Sequence, residues 1–169
     1  MIQRQDIVVA PLGEGALIPL LAAMGWAAHQ PFLFASLGPT AYEMIEQPRL
    51  PSARPYNVIV GHLVGLASGW VAVWICHAAA SPNVAIAGLV PAPRLWAALV
   101  AVALTTMITL AIRASQPASL ATTLLVAIGS MQTARDAAAI VISVLVLAAA
   151  GEPLRKWRLR HRETTEALV

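Results

Sequence analysis

The chain has 169 residues, 59% of them hydrophobic and only 11% charged, with a mean hydropathy of +0.73. A soluble domain carries about 25% charged residues, so a soluble fold is excluded and a polytopic membrane protein is expected. The formal net charge of +3 does not point to nucleic acid, because the basic residues gather in one tail, Arg155-Lys156-Trp157-Arg158-Leu159-Arg160-His161-Arg162.

Four stretches carry no charge: between Glu14 and Glu43, from Pro55 to Pro93, between Arg94 and Arg113, and between Asp136 and Glu152. A hydrocarbon core about 30 Å thick needs about 20 apolar residues per helix, which leaves room for long spans and for shorter segments between them. The opening residues Ile2-Gln3-Arg4-Gln5-Asp6 show no cleavable signal pattern. Cys76 is the single cysteine, so no intramolecular disulfide is expected.

The first apolar run is Leu12 to Ala28, with Pro19 in its body, and His29-Gln30-Pro31 breaks it. The segment from Phe32 to Ile45 is too short for a comfortable crossing, and Gly38-Pro39 shortens its regular part. It predicts an extended lead-in and a half-helix starting near Pro39, since proline suits a first turn. A proline-rich loop from Glu46 to Tyr56 leads into the clearest span, Asn57 to Ala80, with Asn57 expected to cap it. Gly61, Gly65 and Gly69 stand four apart on one face, a stripe that lets another helix approach closely. Trp70, Trp74 and His77 fall where an aromatic belt is expected. After a proline-bounded linker, Leu95 to Ile112 forms the next span, with Thr105, Thr106 and Thr109 as its polar groups. Arg113 to Pro117 breaks the chain again, Ala118 to Ile128 is a second short element, and Ala137 to Ala150 completes the last span.

The two short elements align without gaps at an offset of 83, matching Ala35/Ala118, Ser36/Ser119, Leu37/Leu120, Thr40/Thr123 and Ile45/Ile128. The chain therefore reads as a single transmembrane domain over 1–169 with two repeats, about 11–80 and 94–151, and a basic tail over 152–169. A basic cluster after the last span marks a cytoplasmic end facing anionic lipid. With six crossings Arg49, Arg54 and Arg113 join that side, and Arg135 is the clear exception; with four crossings and two re-entrant segments the three arginines face out. The positive-inside rule favours six, and three crossings per repeat require the repeats to be inverted. The expected fold is all-α, with four long helices and two short half-helices, in a plasma (bacterial inner) membrane with both termini cytoplasmic.

If both short helices start near mid-membrane, their N–H groups and dipoles suit an anion. Ser36, Gly38, Thr40, Gln116, Ser119, Thr122 and Thr123 are the candidate substrate residues. The alternative is that these small residues serve close helix packing. Arg54, Asn57 and His62 are the candidate gate or relay, since histidine titrates near neutrality and intramembrane ionisable groups usually have a use. Their alternative is an interfacial arginine at lipid phosphate and a histidine bonded to a neighbouring helix. No metal spacing, nucleophile elbow or phosphate loop is present, so no cofactor and no enzyme is expected; a hydrolase pairing Ser36 with His62 rests on residue types alone.

These stretches resemble the HPP family of integral membrane proteins. Ala35-Ser36-Leu37-Gly38, followed by Ser52-Ala53-Arg54-Pro55-Tyr56-Asn57-Val58-Ile59-Val60-Gly61-His62-Leu63, is similar to that family's first signature, ASLGASAVLLF and then SPLAQPRNVIGGHL. The family's His-Pro-Pro-Ala-Gly-Ala-Thr-Ala-Leu motif aligns with Gln116-Pro117-Ala118-Ser119-Leu120-Ala121-Thr122-Thr123-Leu124. Here the histidine is Gln116, the second proline Ala118 and the glycine Leu120. The resemblance covers about Leu12 to Ala150. It implies a small-anion transporter, nitrite being the candidate because plastid and cyanobacterial relatives are associated with it, or else a membrane sensor or scaffold module, since some bacterial relatives carry soluble CBS domains. A homo-oligomer fits either reading.

Overall fold

The computed structural model describes residues 6–30 and 32–166. It is helical throughout, with no strand among the described residues: α1 Asp6–Ala28, α2 Leu37–Glu46, α3 Pro55–Ile75, α4 Val84–Ala87, α5 Ala92–Ala111, α6 Ser119–Ala127 and α7 Ala134–Glu166. A single 3-10 turn, Pro51–Ala53, precedes α3. Among the described residues, four helices are long and apolar enough to cross a bilayer: Val8–Ala28, Pro55–Ile75, Ala92–Ala111 and Ala134–His161.

Four of the helices stop for a common reason. Residues 29, 77, 113 and 129, just past α1, α3, α5 and α6, take left-handed φ values of 49°, 50°, 55° and 87°. Each lets the next amide reach back five residues: Gln30 N to Gly25 O, Ala78 N to Val73 O, Ala114 N to Thr109 O and Ser130 N to Leu125 O. These bonds satisfy carbonyls that a helix end leaves open. Only the last site is glycine; His29, His77 and Arg113 hold the conformation with a side chain.

Small residues decide the packing. A Cβ on Gly61, Gly65 or Gly69 would stand 2.7–2.8 Å from Gln116, from Ser119 O and Thr123, and from Val126, so α6 lies directly on the glycine stripe and runs parallel to α3. Met44 of α2 presses on Gly151 of α7 in the same manner, and Ile45 on Gly13 of α1. Leu21, Leu37, Met44, Val58, Ile140 and Leu147 are the centre of the larger core, which joins α1, α2, α3 and α7; Ala72, Ala101 and Ala127 form a smaller one. The substantial helix contacts are α1 with α2 and α7, α5 with α6 and α3, α2 with α7, α3 with α6, and α3 with α7. Exchanging α1 with α5, α2 with α6 and α3 with α7 leaves that set unchanged.

Several boundaries differ from the sequence reading. α2 begins at Leu37, two residues before Pro39, where Leu37 N donates to Phe34 O at 2.9 Å; Pro39 still falls in the first turn, where its missing N–H costs nothing. α3 begins at Pro55 with Asn57 inside it, so Asn57 is no cap; its amide instead donates to Arg113 O at 3.3 Å and Ser115 O at 3.1 Å. α7 does not end at Ala150 but continues through Pro153 and the basic residues. Arg155 pairs with Glu152 and reaches Pro48 O, and Arg158, 1% exposed, reaches Ile45 O and Glu46. Those contacts hold the last turns against α2.

Candidate functional site

Ser36 and Thr40 stand four apart, and so do Ser119 and Thr123 with Thr122 beside them; four residues is one turn, so each set shares a helix face. The two faces meet over α3 at His62, which is 2% exposed. Thr40 Oγ1 lies 2.9 Å from His62 Nε2, and Thr122 Oγ1 lies 2.7 Å from Nδ1 and 3.0 Å from Ser36 Oγ. Ser36, Thr40, Thr122 and Thr123 are fully buried.

Each ring nitrogen of His62 faces a threonine hydroxyl, and each threonine has a second neighbour in Ser36. A neutral ring is satisfied in either tautomer: Nε2–H donates to Thr40 while Thr122 donates to Nδ1, or Nδ1–H donates to Thr122 while Thr40 donates to Nε2 and Thr122 to Ser36 Oγ. Rotation of the threonine hydroxyls thus accompanies exchange of the tautomer.

A second chain of polar groups runs beside the first. Glu43, one turn beyond Thr40, accepts from Ser52 Oγ at 3.2 Å and from Gln116 Nε2 at 2.9 Å. Ser119 N at the start of α6 donates to both the backbone carbonyl of Gln116 at 3.0 Å and its Oε1 at 3.2 Å. Ser119 Oγ donates to Gln116 O at 2.6 Å, Thr123 to Ser119 O at 3.1 Å, and Thr105 of α5 lies 2.9 Å from Thr123. Contacts of Ser36 with Thr122 and of Glu43 with Gln116 place α2 and α6 antiparallel and link them through side chains, the start of α2 beside the fourth residue of α6.

The two helix starts pass each other instead of meeting head to head, and Ser36 bonds Thr122 rather than Ser119.

A family model described as HPP, transmembrane region, matches residues 1–151. The chain belongs to this family. With four apolar helices of spanning length, this HPP protein is an integral membrane protein. No curated protein and no solved structure matches it. The HPP match ends at Gly151, and α7 continues beyond it to Glu166.

Seven of the ten residues singled out in the HPP sequence come together: Ser36, Thr40, His62, Gln116, Ser119, Thr122 and Thr123. Three do not. Gly38 is exposed, with nothing within 4 Å of where a Cβ would stand. Arg54 is exposed just before α3. Asn57 serves the α5–α6 connection. The Ser36–His62 pairing that a hydrolase would need is not made, because Thr122 stands between them. Glu43 and Thr105 escaped the sequence reading. Glu43 shares a face with Ser36 and Thr40 at spacings of seven and three, a signal that was present; Thr105 shows only that a threonine stands in an apolar helix. Beside His62 a crevice of about 10 Å³ opens between α3 and α7, lined by Ile59, Leu66, Ile140 and Val144. That is room for about one water.

Proposed function

We propose that this HPP protein passes a small anion, nitrite being the first candidate, along the seam between α2 and α6. The observation that carries the reading is the buried run of hydroxyls around His62, where the two short helices pass each other. Polar groups inside a membrane-spanning bundle are costly, and those that persist commonly line a substrate path or a proton relay. The helix contacts that survive exchange of the two halves support an inverted repeat of six crossing segments, each short helix crossing together with its extended lead-in. Arg49, Arg54 and Arg113 then share the side of the basic turns of α7, which favours a cytoplasmic placement of both termini. Arg94 joins Arg135 on the other side.

The conformation is closed: the seam hydroxyls are buried and the crevice has room for about one water, so passage requires α2 and α6 to part. Close packing is also what a non-transporting sensor or scaffold module would show, and that is the second reading. Glu43 sharpens the difference. A carboxylate on the seam repels an anion, so anion passage goes with its neutralisation by a proton. Nitrite uptake into proteoliposomes should rise as external pH falls, and Glu43→Gln should make uptake faster and less dependent on pH. Correctly inserted wild type and Glu43→Gln that both show no uptake above empty liposomes would leave the module reading standing.

A further inference from the structure

Arg94 lies in the first turn of α5, at the end of the molecule opposite the basic turns of α7, and it is 1% exposed. Its Nη1 donates to Ala127 O at 3.2 Å and its Nη2 to Ser81 O at 2.9 Å. The Ala127 carbonyl closes α6, whose dipole favours a cation there. Gly129, at φ +87°, makes the room: a Cβ on it would stand 2.7 Å from Nη2. Both bonds go to neutral carbonyls. Nε is buried without a partner, and among the described residues no carboxylate reaches the guanidinium. Asp136, in the first turn of α7, spends Oδ2 on the amides of Gln132 and Thr133. A guanidinium removed from water without a counter-ion is costly unless something supplies the charge.

Arg94 lines a recess of about 280 Å³, walled by Trp70, Trp74, Val126 and Met131, with exposed Gln132 at its mouth. We propose that this recess binds an oxoanion through Arg94, either a free small oxoanion or the phosphate of a membrane lipid. The planar fork of donors fits carboxylate, nitrite and phosphate oxygens alike. Tryptophan walls suit a ligand held where one end is apolar and the other wet. The site stands apart from the hydroxyl cluster, which touches α6 no further along than Thr123, and its occupancy is read without any transport.

The test uses the full chain purified in detergent, with the thermal unfolding midpoint as readout. Sodium nitrite and sodium phosphate are titrated against sodium chloride at equal ionic strength. Short-chain phosphatidylglycerol is titrated against short-chain diacylglycerol, which lacks the phosphate. A rise with the free oxoanions beyond chloride identifies the soluble source, and a rise with phosphatidylglycerol alone identifies the lipid. Gln132→Glu exchanges the amide that donates to Gly129 O for a carboxylate at the recess of Arg94; it should weaken the ligand response about tenfold or more. Arg94→Lys keeps the charge but loses the fork, and should weaken the same response. No response to either ligand class overturns the proposal. So does a response that persists undiminished in Gln132→Glu or, should that variant not fold, in Arg94→Lys.

Discussion

Thr122 has two hydrogen-bonding neighbours and one proton, and the neighbour that receives it sets which His62 tautomer is satisfied. In a membrane interior no water replaces a lost partner, so a hydroxyl deleted here leaves both neighbours short. Thr122→Val keeps the shape of the side chain and removes only the oxygen. It should lower stability by about 1–3 kcal/mol, the cost of leaving buried polar groups unpaired. Thr106→Val is the control: Thr106 is exposed on α5, and its hydroxyl has no hydrogen-bond partner among the described residues. Equal thermal unfolding midpoints for the two variants in detergent would show that the cluster carries no such weight.

At the scale of elements, α6 is held by what α3 lacks. Gly65 stands under Ser119 O and Thr123, and a single added methyl meets backbone at 2.7 Å, which cannot swing aside. Gly65→Ala should therefore separate the helices and cost about 1–3 kcal/mol, while also disturbing the Thr105–Thr123 contact. Gly15 lies inside α1 with nothing within 4 Å of its missing Cβ. Gly15→Ala should stabilise by about 0.5–1 kcal/mol, because alanine loses less backbone freedom on joining a helix. Opposite signs for the two substitutions in thermal unfolding are the expected outcome. A Gly65→Ala variant as stable as wild type would remove the glycine stripe from the account.

For the whole molecule, six crossing segments and four make different predictions about sides. Arg113 ends α5 beside the start of α3, and Lys156 lies on the last turns of α7 beside the end of α2. Arg135 stands at the start of α7, beyond the end of α6. In a chain with Cys76 replaced by serine, cysteines at 113 and 156 should react with an impermeant thiol reagent from the cytoplasmic side only. A cysteine at 135 should react from the opposite side only. Reaction at 113 and 156 from opposite sides would sink the six-segment layout.

Composition and the spacing of charge by themselves determined that the chain is a helical membrane protein, where its long helices lie, and which hydroxyls and glycines share a face. Those features are local: each follows from residues within a turn or two, and hydrocarbon leaves the backbone little choice but helix. The family signature was equally legible, because it is written in consecutive residues. Only the tertiary structure decided that α2 and α6 pass each other rather than meet end to end, that Asn57 serves the α5–α6 connection, and that Glu43 belongs with Gln116 across 73 positions. It also decided that α7 carries the basic residues inward, where Arg158 finds the last turn of α2. Partners so far apart in sequence are selected by packing, where a glycine or an open carbonyl on one helix fixes what the next can bring, and no periodicity within either helix encodes that choice.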